Sequence, residues 1–258
     1  MNATRRVGVI VAHELRILRR DPLPLMVLVV FPLLTMAFLK PAFRPVLVEH
    51  GDASANGAEQ VVPGQATMSA FFLVPLVTFG FYGEHAWATW ERLRASSASS
   101  FEITAGKTLP RLGMGVAQFV VVLIGGVVLF DLHIQGDVYA LAPLVLTFSL
   151  ALVMLGVAVT ALCRTAQQAN SFGYLGLVLF GALGGAMVPF AVLPGWAQAV
   201  APATPTYWAM RGFRSVIVDG EGMSGVLLPS LVLGAMAAGF LVVALRRFRF
   251  ADTKVGFG

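Results

Sequence analysis

Charge is scarce in this chain: Asp, Glu, Lys and Arg make up 12% of its 258 residues, about half the share of a soluble domain. Cysteine is scarcer still. Cys163 stands alone, which excludes an internal disulfide and argues against a cysteine-based metal cluster. Ionisable side chains are missing from the middle of every long apolar run. Such groups are costly in hydrocarbon and mark ion pathways or proton relays, so their absence argues against a proton- or sodium-driven carrier. There is no His-Glu-x-x-His and no pair of intramembrane aspartates, which argues against an intramembrane hydrolase. Glu84 and His85 end one apolar run with no third metal ligand close in sequence. They read as a polar helix end, and no metal site is expected.

What the chain does have is apolar surface. It is 57% hydrophobic, with a mean hydropathy of +0.81. Six runs, at residues 23–43, 66–83, 112–130, 138–162, 169–190 and 225–245, are each long enough to cross ~30 Å of hydrocarbon as a helix. The expected fold is an all-α integral membrane protein with six transmembrane helices in one transmembrane domain. The polar lead before the first run contains Glu14 and Asp21, and no small-residue cleavage site follows. That run therefore reads as a retained span and not a signal peptide. Within the lead, Val7, Ile10, Val11, Leu15 and Leu18 recur at roughly helical spacing, with Arg6, Glu14, Arg16 and Arg20 between them. This predicts an amphipathic helix over 4–20 lying in the membrane interface.

Charge sets the orientation. Arg5, Arg6, Arg16, Arg19 and Arg20 precede the first span, Arg92, Arg94, Lys107 and Arg111 fall between the second and third, and Arg246, Arg247, Arg249 and Lys254 follow the last. By the positive-inside rule both termini are cytoplasmic in a multi-pass protein of the cell membrane. The net charge of +5 then reports topology and anionic headgroups, and no nucleic acid is expected.

Two stretches stand out. The first is a polar island at 87–111, WATWERLRASSASSFEITAGKTLPR, which is too short to be a domain. On the cytoplasmic side it offers a surface to a soluble partner. It contains Gly106-Lys107-Thr108, the end of a phosphate-binding loop, but Phe101 occupies the place of that motif's first glycine. Nucleotide binding by this chain is rejected, and no cofactor is expected; any ATP is bound by another polypeptide. The second is the outer segment at 191–224 with its flank. It holds Pro189, Pro194, Pro202 and Pro205 beside Trp196, Tyr207, Trp208, Arg211 and Arg214. Prolines break helices and aromatics favour the interface, so a short helix or re-entrant element fits, as does a structured loop with an aromatic anchor. Gly181 and Gly185 form a GxxxG pair, readable as a subunit contact or as packing within the chain.

These residues resemble the membrane (permease) subunit of a type 2 ABC exporter, the family of the daunorubicin and multidrug resistance permeases. In the island, Thr89, Trp90-Glu91-Arg92-Leu93, Phe101-Glu102 and Gly106-Lys107 carry the resemblance. In the outer segment, Met187, Pro189, Leu193-Pro194, Trp196, Pro205, Tyr207 and Arg214 carry it, and Gln167-Gln168-Ala169 also fits. Ala88 stands where the family has a glycine and Ser97 where it commonly has a proline.

The resemblance implies a transporter of two six-span subunits, identical or not, with two copies of a cytoplasmic ABC ATPase. The island would be its coupling helix. Trp87, Trp90 and Leu93 would anchor it in a groove of the ATPase, while Glu91, Arg92 and Arg94 pair with charges on the rim. The cargo implied is an amphiphilic drug or lipid. The alternatives are export of a lipid-linked glycan or envelope lipid, and a scaffold or sensor that moves nothing.

Overall fold

The computed structural model describes residues 2–49, 56–86, 95, 96 and 98–247, and every long element among them is a helix. In chain order these are α1 (Ala3–Arg20), α2 (Leu23–Glu49), α3 (Ala58–Ala70), α4 (Leu73–Ala86), α5 (Ser100–Phe130), α6 (Leu141–Leu162), α7 (Ala166–Leu183), α8 (Gly195–Val200), α9 (Pro205–Ile217) and α10 (Met223–Arg247). No strand occurs among the described residues.

Five of the expected spans are helices long and apolar enough to cross a membrane: Leu23–Glu49, Ala58–Glu84, Ser100–Phe130, Val138–Leu162 and Met223–Arg247. The sixth, predicted at 169–190, corresponds to α7 and falls short of that standard. Its first turns carry Gln167, Gln168, Asn170 and Ser171, and the helix stops at Leu183. The stop has a backbone cause. Gly184 caps the helix and Gly185 sits at φ +85°, a left-handed conformation that a side chain disfavours. The amides of Ala186 and Met187 both return to the Gly181 carbonyl at 3.1 Å. Gly181 and Gly185 therefore do not share one helix face, and Gly181 packs within the chain, beside Met68 and Met187.

Two other boundaries differ from the sequence reading. The span expected at 66–83 begins earlier, at Ala58, and is broken at Phe71-Phe72. Pro75 cannot donate to the Phe71 carbonyl, and the Phe71 and Phe72 amides instead make tight three-residue bonds to Met68 and Ser69 (3.1 and 3.0 Å). The span expected at 112–130 is the later part of α5, which starts at Ser100. A reciprocal cap fixes that start: Ser99 Oγ accepts from the Glu102 amide (3.2 Å), and Glu102 Oε2 accepts from the Ser99 amide (2.7 Å).

The packing centre is α6, which lies chiefly against α10 and α4. Four phenylalanines, from α5, α6, α9 and the break between α3 and α4, meet there. Phe119 stacks on Phe213 (centroids 5.7 Å) and meets Phe148 edge-on (5.9 Å), and Phe71 meets Phe148 (6.3 Å). Large apolar side chains also cover the outside, among them Phe38 at 81%, Val128 at 73% and Leu231 at 63% exposure. An apolar exterior of this extent is foreign to soluble monomers and suits a lipid solvent.

Candidate functional site

A buried charge cluster joins α1, α4 and the start of α5. Glu14 is 3% exposed and Lys107 is 2% exposed, with Glu84 and Arg111 also buried. Lys107 Nζ donates to Glu14 Oε1 at 2.8 Å, to Glu84 Oε1 at 2.7 Å and to the Gly80 carbonyl at 3.0 Å. An ammonium has three protons, and all three are used. Arg111 Nη1 donates to Glu14 Oε2 at 2.6 Å and to the Lys107 carbonyl at 2.7 Å. Two carboxylates thus face two cations, which is how charge survives burial. Burial pushes the Glu14 carboxyl up, but Arg111 and Lys107 together outweigh it and hold the group below the usual carboxylate range.

A second, more exposed pair lies one helical stretch away. Arg6 grips Glu102 with two bonds, Nε to Oε2 at 3.1 Å and Nη2 to Oε1 at 2.8 Å. The hydrogen bond to Glu102 raises the Arg6 guanidinium above its ordinary value. Glu102 therefore serves both the α5 cap and the α1 contact. Between the two polar contacts the helices touch closely. A Cβ on Gly106 would fall 2.7 Å from Ile10 Cβ, so glycine there is what lets α1 lie this near.

This arrangement revises two readings of the sequence. Lys107 and Arg111 belong to the expected polar island at 87–111, yet the structure buries both in helix contacts. Glu14 was placed among the polar residues of an amphipathic helix, yet it points into the cluster. The expected coupling residues Trp87, Trp90, Glu91, Arg92, Leu93 and Arg94 lie outside the described residues. The chain enters that stretch from α4, which bears Glu84, and leaves it toward α5, which bears Lys107.

The far end of α5 packs on α3, whose first turns line part of the second candidate region. Thr204 caps α9, accepting from the Tyr207 amide at 3.3 Å, with Pro205 in the first turn, where its missing N–H is harmless. α9 buries Ala209, Phe213, Val216 and Ile217 and turns Tyr207, Arg211 and Arg214 outward or into a cleft. Tyr207 packs against Phe190 and Trp208, each at 5.2 Å between centroids. Trp208 Nε1 donates to the Pro202 carbonyl at 2.8 Å, and Arg211 lies 5.5 Å over the Trp208 ring. Pro189 is buried at the cleft. Pro194 and Trp196 stand apart from it, exposed at the start of α8. The predicted outer residues thus divide between a cleft (Pro189, Tyr207, Arg214), its aromatic flank (Trp208) and a free rim (Pro194, Trp196).

The described residues contain no group of three or more His, Cys, Asp or Glu able to hold a metal ion. Comparison with known proteins gives two matches. Over 160 residues the chain is 31% identical to the linearmycin resistance permease protein LnrN of Bacillus subtilis, which is 62% of this chain and 41% of that protein. The chain thus spans well under two thirds of this relative's length. The family described as ABC-2 type transporter matches residues 5–218, from α1 to the end of α9, so both the charge cluster and the aromatic cleft lie inside the match. The chain belongs to the ABC-2 type transporter family of membrane proteins.

Proposed function

We propose that this chain is the transmembrane subunit of an ATP-binding-cassette exporter that moves an amphiphilic drug or lipid and is driven by a separate cytoplasmic ATPase. The observation that carries the reading is the family match across 5–218, which includes every residue of the charge cluster. In this reading α7 completes a set of six spans, α1 lies in the cytoplasmic interface, and two membrane subunits enclose the path. The Bacillus subtilis relative is named for resistance to linearmycin, which favours a drug over a lipid-linked glycan as cargo.

Residues 87–94 dock on the ATPase. When ATP closes the ATPase pair, the docked segments move, and ATP acts as the ligand that favours one state of the whole assembly. The clamp of Glu14, Glu84, Lys107 and Arg111 supports this role, because it ties α1, α4 and α5 at the helix ends that flank the docking segment.

The test is reconstitution of the chain with a candidate ABC ATPase from the same genome. Glu91→Lys and Trp90→Ala are expected to leave membrane insertion intact and to abolish the effect of cargo on ATP hydrolysis, while Glu49→Lys is mild. Normal transport by both island variants would remove the segment from the coupling role. Absence of any ATPase complex after mild extraction would move the reading to a scaffold.

A further inference from the structure

Among the described residues, the cleft at the outer segment is lined by more cationic than anionic side chains. It measures about 210 Å³ and lies between α9, the first turns of α3, the end of α2 and the Gly184-Gly185 turn. Three charged side chains line it among the described residues: Glu59, Arg211 and Arg214. The Glu59 carboxylate is tied to the backbone at the start of α3, its Oε2 accepting from the amides of Asn56 (3.2 Å) and Gly57 (3.0 Å). Among the described residues Arg214 has only Asp219, an exposed pair at 3.9 Å. Arg211 is held against the Trp208 ring, a contact that orients the guanidinium without neutralising it. The two arginines are three residues apart on one helix and face the same space.

Apart from Gln60, whose side-chain amide donates to the Gly185 carbonyl at 2.8 Å, the rest of the lining is mostly apolar or aromatic, with Leu47, Phe190 and Tyr207. The volume is below the range of about 300–1,000 Å³ that encloses a whole drug-sized ligand. A headgroup fits, and a tail does not. Beside Phe190 the segment continues with exposed Met187, Val188 and Val192, which give a tail an apolar path out of the cleft.

We propose that this cleft binds the acidic headgroup, carboxylate or phosphate, of an amphiphile whose chain runs out over residues 187–192. The proposal deepens the transport reading and rests on it for what brings the ligand there, whereas the binding itself needs no transport. A cationic headgroup is disfavoured, because among the described lining residues two guanidiniums face one carboxylate. The shared headgroup chemistry has two sources, an exported acidic amphiphile and an anionic membrane lipid.

The experiment uses the full chain in phosphatidylcholine nanodiscs, without ATPase, and three fluorescent C12 probes that differ only at the head: carboxylate, alcohol and amine. Empty discs give the partitioning background. The carboxylate is expected to bind at least about tenfold more tightly than the alcohol, and the amine more weakly than either. Arg211→Gln/Arg214→Gln is expected to erase that preference at unchanged melting temperature, and Arg211→Lys/Arg214→Lys to keep most of it. Equal affinity for the three probes, or a preference that survives the double Gln variant, overturns the proposal. Repeating the titration in discs containing phosphatidylglycerol separates the sources. Competition identifies a lipid headgroup, and unchanged affinity identifies a free amphiphile. A failed coupling test with a positive probe titration would sink the exporter reading and leave the cleft assignment standing.

Discussion

Replacing Lys107 with methionine tests the central packing claim without any assumption about function. Methionine keeps the length and apolar stem of lysine but removes the ammonium that serves Glu14, Glu84 and the Gly80 carbonyl. Arg111 still answers Glu14, whereas Glu84 loses its bond at 2.7 Å. Breaking a buried pair by deleting one partner costs about 3–5 kcal/mol, because the other charge stays buried. For a chain of this size that lowers the melting temperature by roughly 6–20 °C. The assay is thermal denaturation in mild detergent followed by gel filtration. A second variant supplies the control. Lys107→Met/Glu84→Gln removes one charge of each sign and leaves the pair of Glu14 and Arg111, and replacing a buried pair by neutral groups is often close to neutral. Most of the lost stability is therefore expected to return. If Lys107→Met alone stays within about 1 kcal/mol of the parent, a surface-like response, then Lys107 is not the buried hub. If the double variant is worse than the single one, the cost was in packing and not in charge.

Glu14 carries its own pH signature. Its carboxyl is held below the usual range, so its contribution is complete above the unfolded value of about 4.3 and is lost as pH falls through the lower folded value. The gap in melting temperature between the parent and Glu14→Gln should be constant near neutrality and should narrow progressively as pH falls below about 4; a gap that does not shrink on acidification refutes the assignment. Gly185→Ala places a side chain at φ +85° and should cost about 1–3 kcal/mol, read as a lower melting temperature, whereas an unchanged value would mean that the turn ending α7 adopts another conformation.

Hydrophobic runs made most of the helices legible, because a bilayer span needs length and apolarity and little else. Their ends were less so. The early start of α5 had a local signal, Ser99 followed three residues later by Glu102, but it lay inside a stretch whose polarity suggested a surface. The break between α3 and α4 had one as well, in Pro75. The charge cluster was hidden for a different reason. Lys107 and Glu14 are 93 residues apart, and no local pattern joins them. One clue existed even so. Val7, Ile10, Val11, Glu14 and Leu18 form the buried or half-buried stripe of α1, at steps of three and four, while Leu15 is 42% exposed. A carboxylate on an apolar stripe must find a buried cation, and only the fold says which one.

The position of that cluster along α5 has a mechanical logic. Pro110 lies between Lys107 and Arg111 and has no N–H to offer the Gly106 carbonyl, so the helix ladder is interrupted there. The two cations on either side of the gap both bond Glu14, and Arg111 also bonds the Lys107 carbonyl. Glu14 thus splints α5 across its weakest turn. From there the helix runs past Phe119 in the aromatic core to Asp131, whose carbonyl accepts from Asn56 Nδ2 at 2.7 Å beside the first turn of α3. The helix is 31 residues long, about 46 Å at 1.5 Å per residue. On the exporter reading, a stiffened α5 would carry a push at α1 or α4 to the first turn of α3, which bears Glu59 at the cleft. An unsplinted one would bend at Pro110 and absorb it. On that reading, the charge buried at one end of α5 is what would let a movement there be felt at the other.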